Sequence, residues 1–259
     1  MKVWGFFDAS GTQKNLDGLG RYSSSVAVSG YLATPKQWSK FEKEWQIVLD
    51  YAGIPQFHMT EFVARVKEYK DWTEEKRGMV IEALIDVIHR NVIYGIGALV
   101  LLADYREVIN TDFRRGVVGS PFTFCSKMCF YAAAQWAERF GYKDSIKYVF
   151  DHGDEHGKEV LAAHTYACNN EEESAFYRFS TGLLTFERKD KATPIQAADI
   201  LAYEMYKEMQ RNVYPSEPKR YTRNSLYALL NNPGDYKVYG KDGLMSVVHQ
   251  AEEYFGGAA

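Results

Sequence analysis

The chain has 259 residues, of which 34 are acidic, 31 are basic and 46 % are apolar. This composition excludes a disordered, collagen-like or disulfide-stapled chain, and the length allows a sizeable core. The formal net charge of −3 excludes a polycationic protein that coats nucleic acid non-specifically, but it leaves room for a local basic patch.

In chain order, the pattern predicts strands at 3–8 and 24–33, a helix over 34–52 and a short strand at 56–59. A helix capped by Thr73 follows, then a buried strand at 94–103, a helix from Ser120-Pro121 to about Phe140 and a strand at 146–151. The remaining elements are a helix at 156–168, a strand at 181–187, a helix over 193–211 and a short helix at 225–230. This alternation predicts one α/β domain over 1–259, with its core at about 3–210 and a C-terminal extension at about 212–259.

Three features bear on the compartment. The N-terminal run MKVWGFFDASG does not resemble a signal peptide, because Asp8 interrupts a short apolar stretch. The longest apolar run, residues 92–103, is far shorter than the roughly 20 residues of a membrane span. Cys125 and Cys129 fall on the apolar face of a predicted helix, which is typical of core cysteines. We therefore expect a cytoplasmic protein without a membrane segment.

Three aspartates stand where an isolated charge is costly. Asp8 and Asp151 each end an apolar strand, and ligands collect beyond strand ends in α/β sheets, although each aspartate could instead cap a turn. Asp199 lies beside the apolar stripe of its helix, where an arginine or a backbone donor could also neutralise it. Glu204 falls on the opposite side of the same helix, and we expect it in solvent.

Carboxylates that converge repel one another unless a cation neutralises them. Ligand sets made only of oxygen favour Mg²⁺ or Mn²⁺ over zinc. A pair of such ions stabilises both the attacking and the leaving oxygen in phosphodiester hydrolysis. The leading hypothesis is therefore a hydrolase, namely a nuclease or phosphodiesterase that uses magnesium or manganese at an aspartate cluster.

Four motifs carry a family resemblance: FFDASG near the start, FHMTEF at 57–62, YVFD at 148–151 and PIQAADILAYE at 194–204. They resemble the bacterial and phage proteins grouped as domain of unknown function 3800, over roughly residues 3–210. That family is similar to ribonuclease H-like nucleases, which implies a central mixed β-sheet flanked by helices. By this likeness Asp8 would be the metal-bridging aspartate of the first strand, Asp151 the mid-sheet ligand and Asp199 the late-helix ligand.

One departure from the family concerns the first motif. The family often has D-E-S-G there, whereas Ala9 follows Asp8 in this chain. If an acid at that position helps to bind metal or substrate, Glu61 or Asp154 could replace it. His58 lies in the same motif as Glu61 and could carry a proton. A plain polar turn explains His58 and Glu61 equally well.

Positive charge is local in this sequence. Residues 105–147 hold seven basic and four acidic side chains, and residues 188–223 hold eight and five. A glycine-rich turn and a helix start follow Arg114 and Arg115, and the N-termini of helices attract phosphate. The predicted contacts to the phosphate backbone of RNA or DNA, which could also be ordinary solvated residues, are Arg114, Arg115, Arg188, Lys189, Lys191 and Ser10.

Two other functions remain open. A catalytically inactive ribonuclease H-like protein, with its acidic cluster degraded at Ala9, would bind nucleic acid or a protein partner. Residues 152–156 also spell H-x-x-E-H, an inverted zinc-peptidase motif. That chemistry needs both histidines on one face of a continuous helix, and Gly153 interrupts the turn. Asp154 or His156 could instead assist a metal site beside Asp151.

Overall fold

A computed structural model describes residues 2–11, 24–152, 157–169, 182–213 and 224–256. The strands within these ranges are β1 (Val3–Ser10), β2 (Ser25–Ala33), β3 (Tyr94–Leu101), β4 (Ile146–Asp151), β5 (Leu184–Glu187) and β6 (Gly234–Tyr239). The helices are α1 (Pro35–Ala52), α2 (Met59–Ala64), α3 (Glu74–Asn91), α4 (Leu102–Val108), α5 (Asp112–Val118), α6 (Pro121–Arg139), α7 (Gly157–Asn169), α8 (Pro194–Val213), α9 (Asn224–Leu230) and α10 (Lys241–Gly256). A short 3₁₀ turn covers Lys67–Tyr69.

The described strands form one mixed sheet in the order β5-β4-β1-β2-β3-β6. β1, β2 and β3 are antiparallel neighbours. β4 pairs in parallel with β1 on the other side, and β5 extends the sheet in parallel with β4. β6 pairs in parallel with β3, so residues 234–239 belong to the same sheet as the N-terminal strands.

Helices cover both faces of this sheet, and each face has its own core. The first core, on the side of α4–α7 and α10, contains Phe7 and Phe150 together with Cys125 and Cys129. The second core, on the side of α1–α3, α8 and α9, contains Phe6. Side chains alternate between the two faces of a strand, so neighbouring residues of β1 serve different cores. The predicted α/β fold with a mixed sheet flanked by helices is confirmed.

Local signals explain where the long helices begin. Thr34 accepts a hydrogen bond from the Gln37 amide, and the Gln37 side chain accepts one from the Thr34 amide, which forms a capping box before α1. Gly53 ends α1 in the left-handed conformation. Ser120 caps α6 by accepting from the Thr123 amide.

Most predicted elements are confirmed, and the differences have local reasons. Residues 56–59 are not a strand, because the chain enters α2 at Met59. The buried strand at 94–103 ends at Leu101, where α4 begins at once. β1 extends to Ser10, so Asp8 lies inside the strand rather than at its end. The predicted core cysteines Cys125 and Cys129 are buried, and burial raises the pKa of the Cys125 thiol.

The expectation that Glu204 faces solvent is wrong. Its side chain is 0 % exposed, and its Oε1 accepts a hydrogen bond of 2.8 Å from Ser225 Oγ on α9. α8 packs on β1 and β2 with one side and on α1, α2 and α9 with others, so it has no solvent face over this stretch. Every helix in the described ranges is too short or too polar to cross a bilayer.

Candidate functional site

The register of two parallel strands brings Asp8 and Asp151 side by side. Phe7 of β1 is paired with Phe150 of β4, so the next residues on the two strands, Asp8 and Asp151, are neighbours. Phe7 and Phe150 stack at 5.1 Å in the first core. By alternation, both aspartates then point to the opposite face, which α8 covers.

Asp8, Asp151 and Asp199 converge on one cation, the ammonium of Lys189; these four side chains are the acidic cluster. Lys189 Nζ lies 2.7 Å from Asp8 Oδ2, 3.4 Å from Asp199 Oδ1 and 3.9 Å from Asp151 Oδ2. The Asp8 and Asp199 side chains are 2 % and 7 % exposed, whereas those of Asp151 and Lys189 are 18 % and 17 % exposed. The cluster is therefore buried with one side open to solvent.

Electrostatics fix the charge state of Lys189. Burial alone would lower the pKa of this lysine, but the carboxylates of Asp8, Asp199 and Asp151 outweigh the burial, and the pKa lies well above its usual range. Lys189 is therefore protonated at neutral pH. The sequence predicted Lys189 as a contact to the substrate backbone at the rim, but its side chain lies between the aspartates.

Asp199 also binds the backbone at the start of α2. Its Oδ2 accepts a hydrogen bond of 2.8 Å from the amide of Met59, the first residue of α2. One carboxylate thus binds the Lys189 ammonium with one oxygen and a helix start with the other. Because it is acidic and lies at the helix N-terminus, Asp199 also favours α2 electrostatically.

Gln196 is a residue that the sequence reasoning missed. Its Oε1 accepts from Trp45 Nε1 at 3.0 Å and from the Phe57 amide at 2.9 Å, and its Nε2 donates to the Lys189 carbonyl at 3.0 Å. It therefore ties α1, the segment before α2 and the turn of Lys189 to α8. The signal was its place in the Q-x-A-D motif, one helical turn before Asp199.

His58 and Glu61 lie at the start of α2, the helix whose first amide donates to Asp199. His58 Nδ1 is 3.8 Å from Glu61 Oε1, and Glu61 also pairs with Lys67. The amide of His58 donates to Tyr69 Oη at 3.0 Å, and burial raises the pKa of Tyr69 to about 12. The two predicted site residues thus flank Met59, whose amide bonds Asp199.

Two positions near the end of β1 show which face of the sheet the residues after Asp8 occupy. Ala9 packs against the first core, so a side chain at this position starts on the face opposite Asp8. Ser10 is again on the face of Asp8, by alternation along β1. Glu187, which was not predicted, is the register partner of Asp151 on β5 and continues the acidic row toward the sheet edge.

The predicted phosphate site at the start of α6 already holds a carboxylate. Glu159 Oε1 of α7 accepts a hydrogen bond of 2.8 Å from the amide of Ser120, the cap of α6. Arg114 and Arg115 do not lie directly before the turn into α6, because both lie within α5, which continues to Val118. Arg114 Nη2 pairs with Glu252 at 2.9 Å, and Arg115 pairs with Asp112 at 2.7 Å.

The remaining predicted residues border the cluster or lie outside the described ranges. Arg188 pairs with Asp190 at 2.9 Å on the exposed turn after β5, and Lys191 is exposed on the same turn. His152 is an exposed turn residue directly after β4, and α7 is described from Gly157 onward. Asp154 and His156 lie outside the described residues, so the H-x-x-E-H pattern is described only at its first histidine.

The acidic cluster suits a hard divalent cation in the chemistry of its donors, which are carboxylate oxygens. The three carboxylates of the cluster surround the ammonium of Lys189. Among the described residues, no three His, Cys, Asp or Glu side chains are close enough together to hold a metal ion. Divalent binding therefore requires the carboxylates to move closer together.

Neither a protein-family model nor a curated protein matches this chain.

Proposed function

We propose that this protein is a divalent-metal-dependent phosphodiester hydrolase of the ribonuclease H-like fold that acts on RNA or DNA, in line with its resemblance to the domain of unknown function 3800 family. One observation carries the proposal: three aspartates from β1, β4 and α8 converge on a single cationic position, now held by Lys189 Nζ. Convergent buried carboxylates without a cation would repel one another, so the fold is built to hold positive charge there.

The sheet supports the same proposal. Three antiparallel strands are followed, beyond β1, by the parallel strands β4 and β5, and helices cover both faces. This is a mixed sheet flanked by helices, as the family resemblance implies. Asp8, Asp151 and Asp199, which the resemblance assigns as metal ligands, lie on β1, β4 and α8.

We assign the residues three roles: metal ligands, proton carrier and contacts to the substrate phosphates. Asp8, Asp151 and Asp199 would hold Mg²⁺ or Mn²⁺, which supplies an activated water and charge stabilisation at phosphorus when bound. His58, the residue before the Met59 amide that bonds Asp199, would accept or donate a proton, with Glu61 Oε1 3.8 Å from its Nδ1.

Arg188 and Lys191, exposed on the turn that carries Lys189, contact phosphates of the substrate strand. Ser10, on the face of Asp8, is close enough along β1 to border the same substrate. Arg114 and Arg115 are left out of the proposed site, because α5 packs on the first core, on the face of the sheet opposite the aspartates.

The test is cleavage of labelled single-stranded RNA, single-stranded DNA and an RNA–DNA hybrid by purified protein with Mn²⁺. The proposal expects at least one substrate to be cut, and expects Asp8→Asn and Asp199→Asn to lose the cutting. Asp112→Asn on the exposed end of α5 is the matched control and should cut like the wild type. Uncut substrates, or full activity in the two cluster variants, would refute the proposal.

A binding protein without catalysis is the second candidate, because Lys189 already neutralises part of the cluster. This candidate expects the protein to bind single-stranded oligonucleotides in EDTA and the Asp8→Asn variant to bind them equally well. It also expects no heat of Mn²⁺ binding. Calorimetry with Mn²⁺ separates the two candidates, because the hydrolase requires saturable binding that Asp8→Asn removes.

A further inference from the structure

The strand β6 ends the sheet on the side away from the acidic cluster, with β2 and β3 between it and β1. Within the part of the chain that the structure describes, its one strand neighbour is β3. The Lys237 side chain is 46 % exposed and Val238 is 53 % exposed, so solvent reaches this strand. An accessible edge strand offers a row of backbone donors and acceptors to a further strand.

The backbone groups of β6 alternate between β3 and the outer edge. The Gly95 amide of β3 donates to the Pro233 carbonyl at 2.8 Å, directly before β6 begins. In a parallel ladder, the residue after a bonded one turns its N–H and C=O the other way. Gly234, Tyr236 and Val238 therefore turn theirs to the outer edge. A second strand can bond these three residues without a change in the bonds to β3.

The charges of β6 are complementary to a second copy of β6 in antiparallel register. Asp235 and Lys237 lie on the same face of the strand, and their side chains pair at 3.2 Å. When two copies pair antiparallel about Tyr236, Asp235 of each copy faces Lys237 of the other, in positions where side chains come closest. Opposite charges across a strand pair are stabilising. A parallel, in-register pair would instead set Asp235 against Asp235.

The other face of β6 carries its apolar side chains. In the same antiparallel register, Val238 of one copy lies opposite Gly234 of the other, which has no side chain. The Tyr236 ring leans over this glycine, since a Cβ at position 234 would lie 2.5 Å from Tyr236 Cε2. The exposed Val238 of each copy is therefore covered by the Tyr236 ring of the other.

We propose that this protein forms a homodimer through β6, in which two copies pair antiparallel about Tyr236 and their sheets join into one. A second copy fits this surface better than an unrelated peptide, because the charge pattern of β6 is complementary to itself. A strand of six residues buries a small area, so the dimer is weak, with a dissociation constant of the order of 10 µM. The acidic cluster lies beyond β2 and β3 and stays uncovered, so this inference is independent of the proposed hydrolase.

The test is sedimentation velocity of the full chain over a concentration range from about 1 to about 200 µM. The wild type should pass from the monomer mass to the dimer mass across this range. Val238→Pro removes an outward N–H and no bond to β3, so it should fold and remain a monomer. Val238→Thr keeps that N–H and is the matched control, which should dimerise like the wild type.

A charge exchange tests the register of the two copies. Lys237→Asp sets like charges against each other and should weaken the dimer about tenfold. The double variant Asp235→Lys/Lys237→Asp restores opposite charges and should recover the affinity of the wild type. Circular dichroism checks that each variant is folded.

Three results would overturn the inference. The first is a wild type that stays monomeric at the highest concentration. The second is a Val238→Pro variant that dimerises as tightly as the wild type, because another surface must then hold the copies together. The third is equal dimer affinity for Lys237→Asp and the wild type. If Val238→Pro does not fold, the charge exchange still decides.

Discussion

Lys189 and Asp199 flank the start of α8, and the Lys189 ammonium lies 3.4 Å from Asp199 Oδ1. Between them, Gln196 holds the Lys189 carbonyl, so the turn before the helix and the first turns of the helix act as one unit. Through the Lys189 ammonium, this unit contacts Asp8 on β1 and Asp151 on β4. The candidate site is thus built by one helix start packed over the neighbouring strands β1 and β4.

Asp199 has a structural role that can be separated from its charge. Asp199→Asn keeps an oxygen that can accept from the Met59 amide, whereas Asp199→Ala leaves that buried amide without this partner. We expect Asp199→Ala to be less stable than Asp199→Asn by about 1–3 kcal/mol, the usual cost of an unsatisfied buried donor. Urea denaturation followed by tryptophan fluorescence measures this difference. Equal unfolding midpoints for the two variants would contradict the assigned hydrogen bond.

Gln196 should be as important for stability as a core residue. In Gln196→Leu the indole N–H of Trp45, the amide of Phe57 and the carbonyl of Lys189 all lose a hydrogen-bond partner. We expect a loss of about 3 kcal/mol in the free energy of unfolding. The matched control is Gln46→Leu on the exposed side of α1, where the glutamine bonds only Asp50 in the described contacts. Urea denaturation should show little change for this control; a similar loss in both variants would contradict the prediction.

Ala9→Glu introduces an acid directly after Asp8, where the domain of unknown function 3800 proteins that this sequence resembles often have one. Because position 9 faces the first core, the new carboxylate starts on the side of the sheet opposite Asp8. We expect unchanged Mn²⁺ affinity and a stability loss of about 1 kcal/mol, which is typical of a substitution that partly buries a charge. Calorimetry and urea denaturation measure both quantities. Tighter Mn²⁺ binding in Ala9→Glu would show that the two faces of β1 are assigned wrongly.

His164 should make the protein less stable in mild acid. Burial lowers the pKa of His164, which packs against Phe130 and Tyr148, so the folded protein holds this imidazole neutral. The unfolded chain binds a proton below pH about 6.5, and stability should fall as the pH drops from there through the folded pKa, by up to about 1.4 kcal/mol per pH unit.

The measurement is the urea midpoint between pH 7 and pH 5, compared between the wild type and His164→Phe. The variant should have a flatter profile, because it removes the group that titrates. His249→Phe, at an exposed position on α10, is the control and should keep the wild-type profile. A wild-type slope that persists in His164→Phe would assign the acid sensitivity to other groups.

The three aspartates could be predicted from the sequence because each interrupts a strong apolar pattern. Asp8 and Asp151 follow continuous apolar runs of buried strands, and Asp199 breaks the apolar stripe of a long helix. Their proximity could not be derived from the pattern, since it depends on the pairing of β1 with β4, which are far apart in the chain. The expectation that they form one cluster came from the rule that ligands collect beyond strand ends, and the family resemblance agreed with it.

The errors have a common physical source, which is that the pattern of one segment does not reveal what packs on it. Glu204 was expected in solvent because α8 was treated as a helix with one covered face, whereas other helices also cover it. Lys189 was expected at the surface because a turn between charged residues is usually solvated. β6 was missed because its side chains are largely exposed, so residues 234–239 lack an apolar pattern.

The most direct test of the central claim is a crystal structure of the protein soaked in MnCl₂, with anomalous diffraction data collected at the manganese edge. The account predicts an anomalous peak bound by carboxylate oxygens of Asp8, Asp151 and Asp199. An acidic cluster that contains no anomalous peak, with Lys189 alone between the three carboxylates at saturating Mn²⁺, would contradict it.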